Sequence, residues 1–131
     1  MAINEILGSW HSGEGRYAIE LTMYGTGGNG LVGMLCGGEK PHIGGVAYAN
    51  PRPISNGSGT TADISTVCGP GHKDVIVAQL VAKKLCINVG EAVCVTAGVH
   101  IDNATAFEID LLRQNCLQVA DDFITAYQKN R

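Results

Sequence analysis

Charge is scarce in this sequence. Asp, Glu, Lys and Arg make up 16% of its 131 residues, against roughly 25% in an ordinary domain. Nine Lys plus Arg against 12 Asp plus Glu leave a net charge of −3, so the broad basic footprint of a nucleic-acid binder is absent and no nucleic acid is expected as partner. Aromatic residues are few as well, with one Trp, four Tyr and two Phe. No run approaches the ~20 apolar residues that cross a bilayer. The opening MAINEILGSWHSG carries Glu5 and lacks the basic start and apolar stretch of a secretory signal. No membrane partner and a cytoplasmic location are therefore expected. The five cysteines, at 36, 68, 86, 94 and 116, form an odd set without CxxC spacing. That excludes a disulfide framework and a zinc ribbon and points to reduced thiols.

Hydrophobic residues at 45% supply a core, and the length fits one domain over residues 1–131 that buries about two-thirds of its unfolded surface. Glycine is the excess: 18 residues, about twice the usual ~7%. Close backbone approach is expected to matter more than aromatic packing.

Tyr17, Ile19, Leu21 and Met23 alternate with Ala18, Glu20 and Thr22, the period of a half-buried strand. Gly25 to Gly30 reads as a turn and Leu31 to Cys36 as the returning strand of an antiparallel hairpin. Further strands are expected at Ile43 to Tyr48 and Thr60 to Val67, separated by a Pro- and Gly-rich surface loop from Asn50 to Gly59. A helix is read from about His72 to Cys86, with Lys83 and Lys84 near its end, and a strand buried on both faces from Ala92 to Ile101. Ile109, Leu112, Cys116, Val119, Phe123 and Tyr127 mark a final helix, with Thr105 and Glu108 as its capping box. The order implies an α+β (mixed α/β) domain: an antiparallel-rich sheet with two main helices packed on one side.

Gly25 to Gly30 matches GxGxxG, but a strand and not a helix follows, so it is read as a hairpin turn and not as a dinucleotide site. The segment Gly69-Pro70-Gly71-His72-Lys73-Asp74 leads from a strand into a helix. It either offers backbone N–H groups and the Lys73 charge to an anion or makes an ordinary turn. His42, His72 and His100 all flank predicted strands. Together with Asp74, Asp102 or Glu39 they suit a divalent metal or a polarised ligand, although their spacing lacks HExxH-like local geometry and no metal is expected. Cys68 lies four residues before His72, a thiol–imidazole spacing open to nucleophile chemistry; cysteine is more often a small buried hydrophobe, as Cys36, Cys86, Cys94 and Cys116 on apolar faces read. Arg52, between Pro51 and Pro53, either contacts a phosphate or keeps its loop soluble, and Ser55 offers a hydroxyl beside it. If the Arg52 loop and the turns at His42, His72 and His100 share one rim, they form a ligand pocket.

Three stretches carry a resemblance: EKPHIGGVAYANPRPISNGSGTTADIST from Glu39 to Thr66, GPGHKDVIVA from Gly69 to Ala78, and VCVTAGVHIDNATAFEI from Val93 to Ile109. With the leading hairpin, the chain from about residue 14 to 128 resembles the prenylated-flavin chaperone-like family, the small D subunit associated with gallate decarboxylase. That likeness implies kinship with proteasome assembly chaperones and a non-catalytic homodimer. It implies a protein that binds reduced prenylated FMN and delivers it to a UbiD-type decarboxylase, with a flavin prenyltransferase as a further partner. It also implies His42, Gly44, Arg52, Ser55, Gly71, His72, Lys73, Asp74, His100, Asp102 and Asn103 as the flavin-binding residues. A protein-only assembly chaperone and a His/metal- or Cys-dependent hydrolase are the competing readings.

Overall fold

The computed structural model describes residues 3–70 and 73–130. Their elements run β1 (Glu5–Ser12), a 3₁₀ turn (Gly15–Tyr17), β2 (Ile19–Gly25), β3 (Leu31–Gly38), β4 (Gly45–Pro53), β5 (Thr60–Cys68), α1 (Lys73–Val89), β6 (Val93–His100) and α2 (Ala106–Lys129). The strands form one sheet in the order β1-β2-β3-β6-β4-β5. Only β3 and β6 pair in parallel; every other pairing is antiparallel.

Period-two alternation decides which face is covered. Ile19, Leu21 and Met23 of β2, Leu31 and Leu35 of β3 and Val93 and Val95 of β6 point to the same side and are buried. Both helices lie there: α1 crosses β4, β5 and β6, and α2 crosses β1 and β2 and packs on α1. Small residues let α1 approach closely. Ala47 and Ala49 lie under it, fully buried, and a Cβ on Gly45 would sit 2.8 Å from the Val75 nitrogen. Part of the glycine excess is spent here, where a chain poor in aromatics obtains its packing density by backbone approach.

The α+β class, the Gly25 to Gly30 hairpin turn and the capping box hold. Leu31 opens β3 directly after the turn, and the Thr105 hydroxyl and Glu108 carboxylate each accept from the other's backbone N–H. Four features differ from expectation. The first strand, β1, is unannounced because a bulge between Ile6 and Gly8 breaks its alternation. β4 runs on to Pro53, so the Asn50 to Gly59 loop shrinks to residues 54–59. α1 continues to Val89, which places Lys83 and Lys84 inside the helix; Lys84 meets Asp121 of α2 at 2.8 Å. β6 is covered on one face only: Cys94 and Thr96, on the other, are half-buried. No helix among the described residues is long and apolar enough to cross a membrane.

Candidate functional site

The carboxyl end of β6, the first turn of α1 and the first three turns of α2 enclose a cavity of about 450 Å³, within the ~300–1,000 Å³ range of small-molecule sites. Its position, outside the carboxyl end of a strand that has a parallel neighbour, is where α/β sheets leave a crevice. The inner wall is apolar, built by Val77, Val99, Leu112 and Cys116. Burial pushes the Cys116 thiol up to about 12, so at neutral pH it is an uncharged wall group. Ile76 and Ile109 extend this wall outward and are 56% and 45% exposed. Lys73, His100, Asn103 and Arg113 line the same cavity and add two cations and two hydrogen-bonding side chains.

Asp74 braces one side. One of its carboxylate oxygens accepts from the Val99 backbone N–H at 2.9 Å, and the other from His42 Nε2 at 2.7 Å. His42 Nδ1 lies 2.8 Å from the Lys40 carbonyl oxygen. Both ring partners are acceptors, so only the doubly protonated imidazolium satisfies both. In accord, the His42 pKa is raised, first by the Lys40 carbonyl and then by Asp74. Gly44 is required by this arrangement, since a Cβ there would lie 2.0 Å from the Asp74 oxygen. Gly98 serves similarly: the His42 carbonyl passes where its Cβ would be, at 1.6 Å.

The loop from β6 to α2 is strapped from outside. His100 Nε2 donates to Asp102 at 2.9 Å, the Asp102 N–H donates to Glu39 at 2.9 Å, and Arg16 donates to the Asp102 carbonyl at 2.9 Å. Asn103 turns the chain at φ 54°, in the left-handed region that Asn tolerates. Tyr17 donates to Glu108 at 2.6 Å. The Thr105 backbone N–H and this phenol hold the Glu108 carboxyl below its ordinary value.

Of the residues singled out in the sequence, Lys73, Asp74, His100 and Asn103 line the cavity. His42 and Gly44 stand behind Asp74, and Asp102 sits in the strapped loop. Gly71 and His72 lie outside the described residues. Arg52 and Ser55 are not brought to this rim. Gly45 pairs with Ala97 near the cavity, whereas Arg52 is seven residues further along β4, about 23 Å at ~3.3 Å per residue. It is held there by Asp63 at 3.0 Å. Of the four segments expected at one rim, the His42 and His100 turns come together beside the start of α1, the His72 turn lies outside the described residues, and the Arg52 loop is elsewhere, because β4 runs antiparallel to β6 and carries its far end away. His42 and His100 are each engaged with a carboxylate, and among the described residues no group of three or more His, Cys, Asp or Glu is placed to hold a metal. Arg16 and Arg113 were not singled out in the sequence, and Ile76 was read only as part of the helix. Arg113 was detectable as the i+4 neighbour of Ile109 on one face of α2; Arg16 carried no local signal.

No curated protein matches the chain. The family model of the prenylated flavin chaperone LpdD-like domain matches residues 13–128, and this stretch contains every element that builds the cavity. The residues fit the ligand that this description names: a flat, largely apolar ring system suits the wall between α1 and α2, and a phosphate suits Lys73 and Arg113. With nearly the whole domain covered, the chain belongs to the prenylated flavin chaperone LpdD-like family.

Proposed function

We propose that this protein binds reduced prenylated FMN in the cavity between α1 and α2 and passes it to a UbiD-type decarboxylase, without itself catalysing a reaction. The observation that carries the reading is a cavity at the carboxyl end of β6 whose mainly apolar lining also includes Lys73 and Arg113, the latter meeting Asp110 at 2.8 Å on its outer side. When bound, the prenylated flavin would supply the chemistry of the recipient enzyme. The chain's own residues bind and orient it. Lys73, at the start of α1, and Arg113 take the phosphate, and Val77, Leu112 and Ile109 cover the apolar ring and prenyl portion. Asn103 donates to polar ring edges and His100, its Nε2 engaged with Asp102, accepts through Nδ1, while Asp74, held by His42, keeps the start of α1 in place against β6. A flavin prenyltransferase is the donor on this reading, two copies of the chain form the carrier, and the cytoplasm is its compartment.

Anaerobic calorimetric titration with reduced prenylated FMN, against reduced plain FMN, tests the site. Prenyl-dependent binding is expected, weakened at least about tenfold by Lys73→Ala or Arg113→Ala, the loss of one charge-assisted bond. Arg52→Ala, at the far end of β4, should leave it unchanged. Binding of neither flavin would overturn the reading in favour of a protein-only assembly chaperone.

A further inference from the structure

The sheet face opposite the helices carries two complete cross-strand rows. One runs Ile6, Tyr24, Val32, Cys94, Tyr48, Ser65, and the next Ser9, Thr22, Met34, Thr96, Val46, Val67. None of these twelve residues is charged. No described helix or strand covers them, and large apolar groups lie open: Ile6 78%, Val67 70%, Val32 and Tyr48 45%, and Met34 41% exposed. Charge returns only at the margins, on the same face. His11 and Glu20 pair at 2.9 Å at the β1–β2 corner, and Arg52 and Asp63 pair at 3.0 Å at the diagonally opposite β4–β5 corner.

We infer that this open sheet face is the surface through which two copies of the chain pair, sheet against sheet. Two arguments select a second copy. An uncharged centre with a charged margin is the anatomy of a protein interface and not of a solvated sheet face. Six strands at ~4.8 Å and about six residues at ~3.3 Å, short of the end where the His42 backbone lies over Gly98, give a face of about 29 by 20 Å, on the order of 600 Å², the lower end of what each partner contributes to a standard interface. The charged corners specify the arrangement. They are separated by about 19 Å across the strands and about 23 Å along them. A two-fold axis lying diagonally in the face therefore lays each corner over the other corner of the partner copy. The strands of the two sheets then cross at close to a right angle, one of the two arrangements in which sheets pack.

This inference rests on the preceding reading only for the number of copies; the surface comes from the register. Sedimentation equilibrium across the micromolar range should give twice the 13.7 kDa mass of the chain. Val32→Glu and Met34→Glu should each weaken pairing on the order of 100-fold, because each strands a charge in the apolar centre, with the far-UV circular dichroism unchanged. Lys83→Glu, on the exposed side of α1, should have no effect. In the unmodified protein Cys94 alkylation should fall as concentration rises while Cys68 alkylation stays constant. The corners are tested by charge exchange: Arg52→Glu and Glu20→Arg should each weaken pairing, and the double variant should pair more tightly than either. A dimer retained by both centre variants would overturn the surface while leaving a paired carrier standing. A single-chain mass throughout the range would overturn both, and a double variant no tighter than the singles would overturn the diagonal arrangement.

Discussion

Asp74 satisfies two donors from two different elements, the Val99 N–H and the His42 ring. Asp74→Ala should therefore cost about 1–3 kcal/mol by leaving a part-buried N–H without its acceptor, read as a lower urea midpoint. His42 brings a pH dependence of definite sign. Its folded pKa is raised, so its contribution is complete below about 6.5, the ordinary histidine value, and is lost as pH rises through the folded pKa. Urea midpoints measured upward from about pH 6.5 should fall, and His42→Gln should flatten that slope. Sequence reasoning identified His42, Asp74, His100 and Asp102 as a set, since imidazoles and carboxylates beside glycine turns are conspicuous. The pairing His42 with Asp74, 32 positions apart, was not legible, because it depends on β4 and α1 beginning side by side. Arg52 illustrates the reverse: its prolines suggested a rigid presenting loop, whereas backbone pairing with Thr61 makes it part of a strand.

At the scale of elements, α2 does two jobs along its length. Its first turns line the cavity, and its last turns hold β1 through Trp10, which meets Phe123 edge-on at 5.0 Å, while Tyr127 stacks on Phe123 at 5.1 Å. Trp10→Ala should destabilise the fold by about 3 kcal/mol, the lower end for aromatic truncation since the ring is only partly buried, measured by thermal melting in circular dichroism. At the other end, Ile109→Glu should reduce affinity for reduced prenylated FMN at least about tenfold without lowering the melting temperature, because Ile109 is half exposed and belongs to the wall and not to the core. The 3.6-residue period made α2 readable from sequence and its cap located its start. β1 was unreadable for an equally local reason: Gly8, at φ 136°, bulges the strand and moves Trp10 out of phase with Ile6.

For the whole molecule, the layer count and fold class followed from pattern, because β2, β3 and α2 keep clean periods against one core. Strand order did not follow, since nothing local says that β6 enters between β3 and β4. The thiols report on integrity: Cys68 is exposed, Cys36 and Cys94 are half-buried, and Cys86 and Cys116 are buried. Timed alkylation with mass spectrometry should modify Cys68 first, and Cys86 and Cys116 only on global unfolding. The same strand order governs how the chain is made. A nascent chain that ends before Val93 holds two separate ribbons, β1-β2-β3 and β4-β5, whose inner edges have backbone groups awaiting a common neighbour. β6 is the seam that joins them, pairing residues from Leu31 to Gly38 on one side and Gly45 to Ala49 on the other. Those pairings close long loops and are slow to form, so until β6 leaves the ribosome this chain is itself a protein with exposed strand edges, in need of shelter from its neighbours.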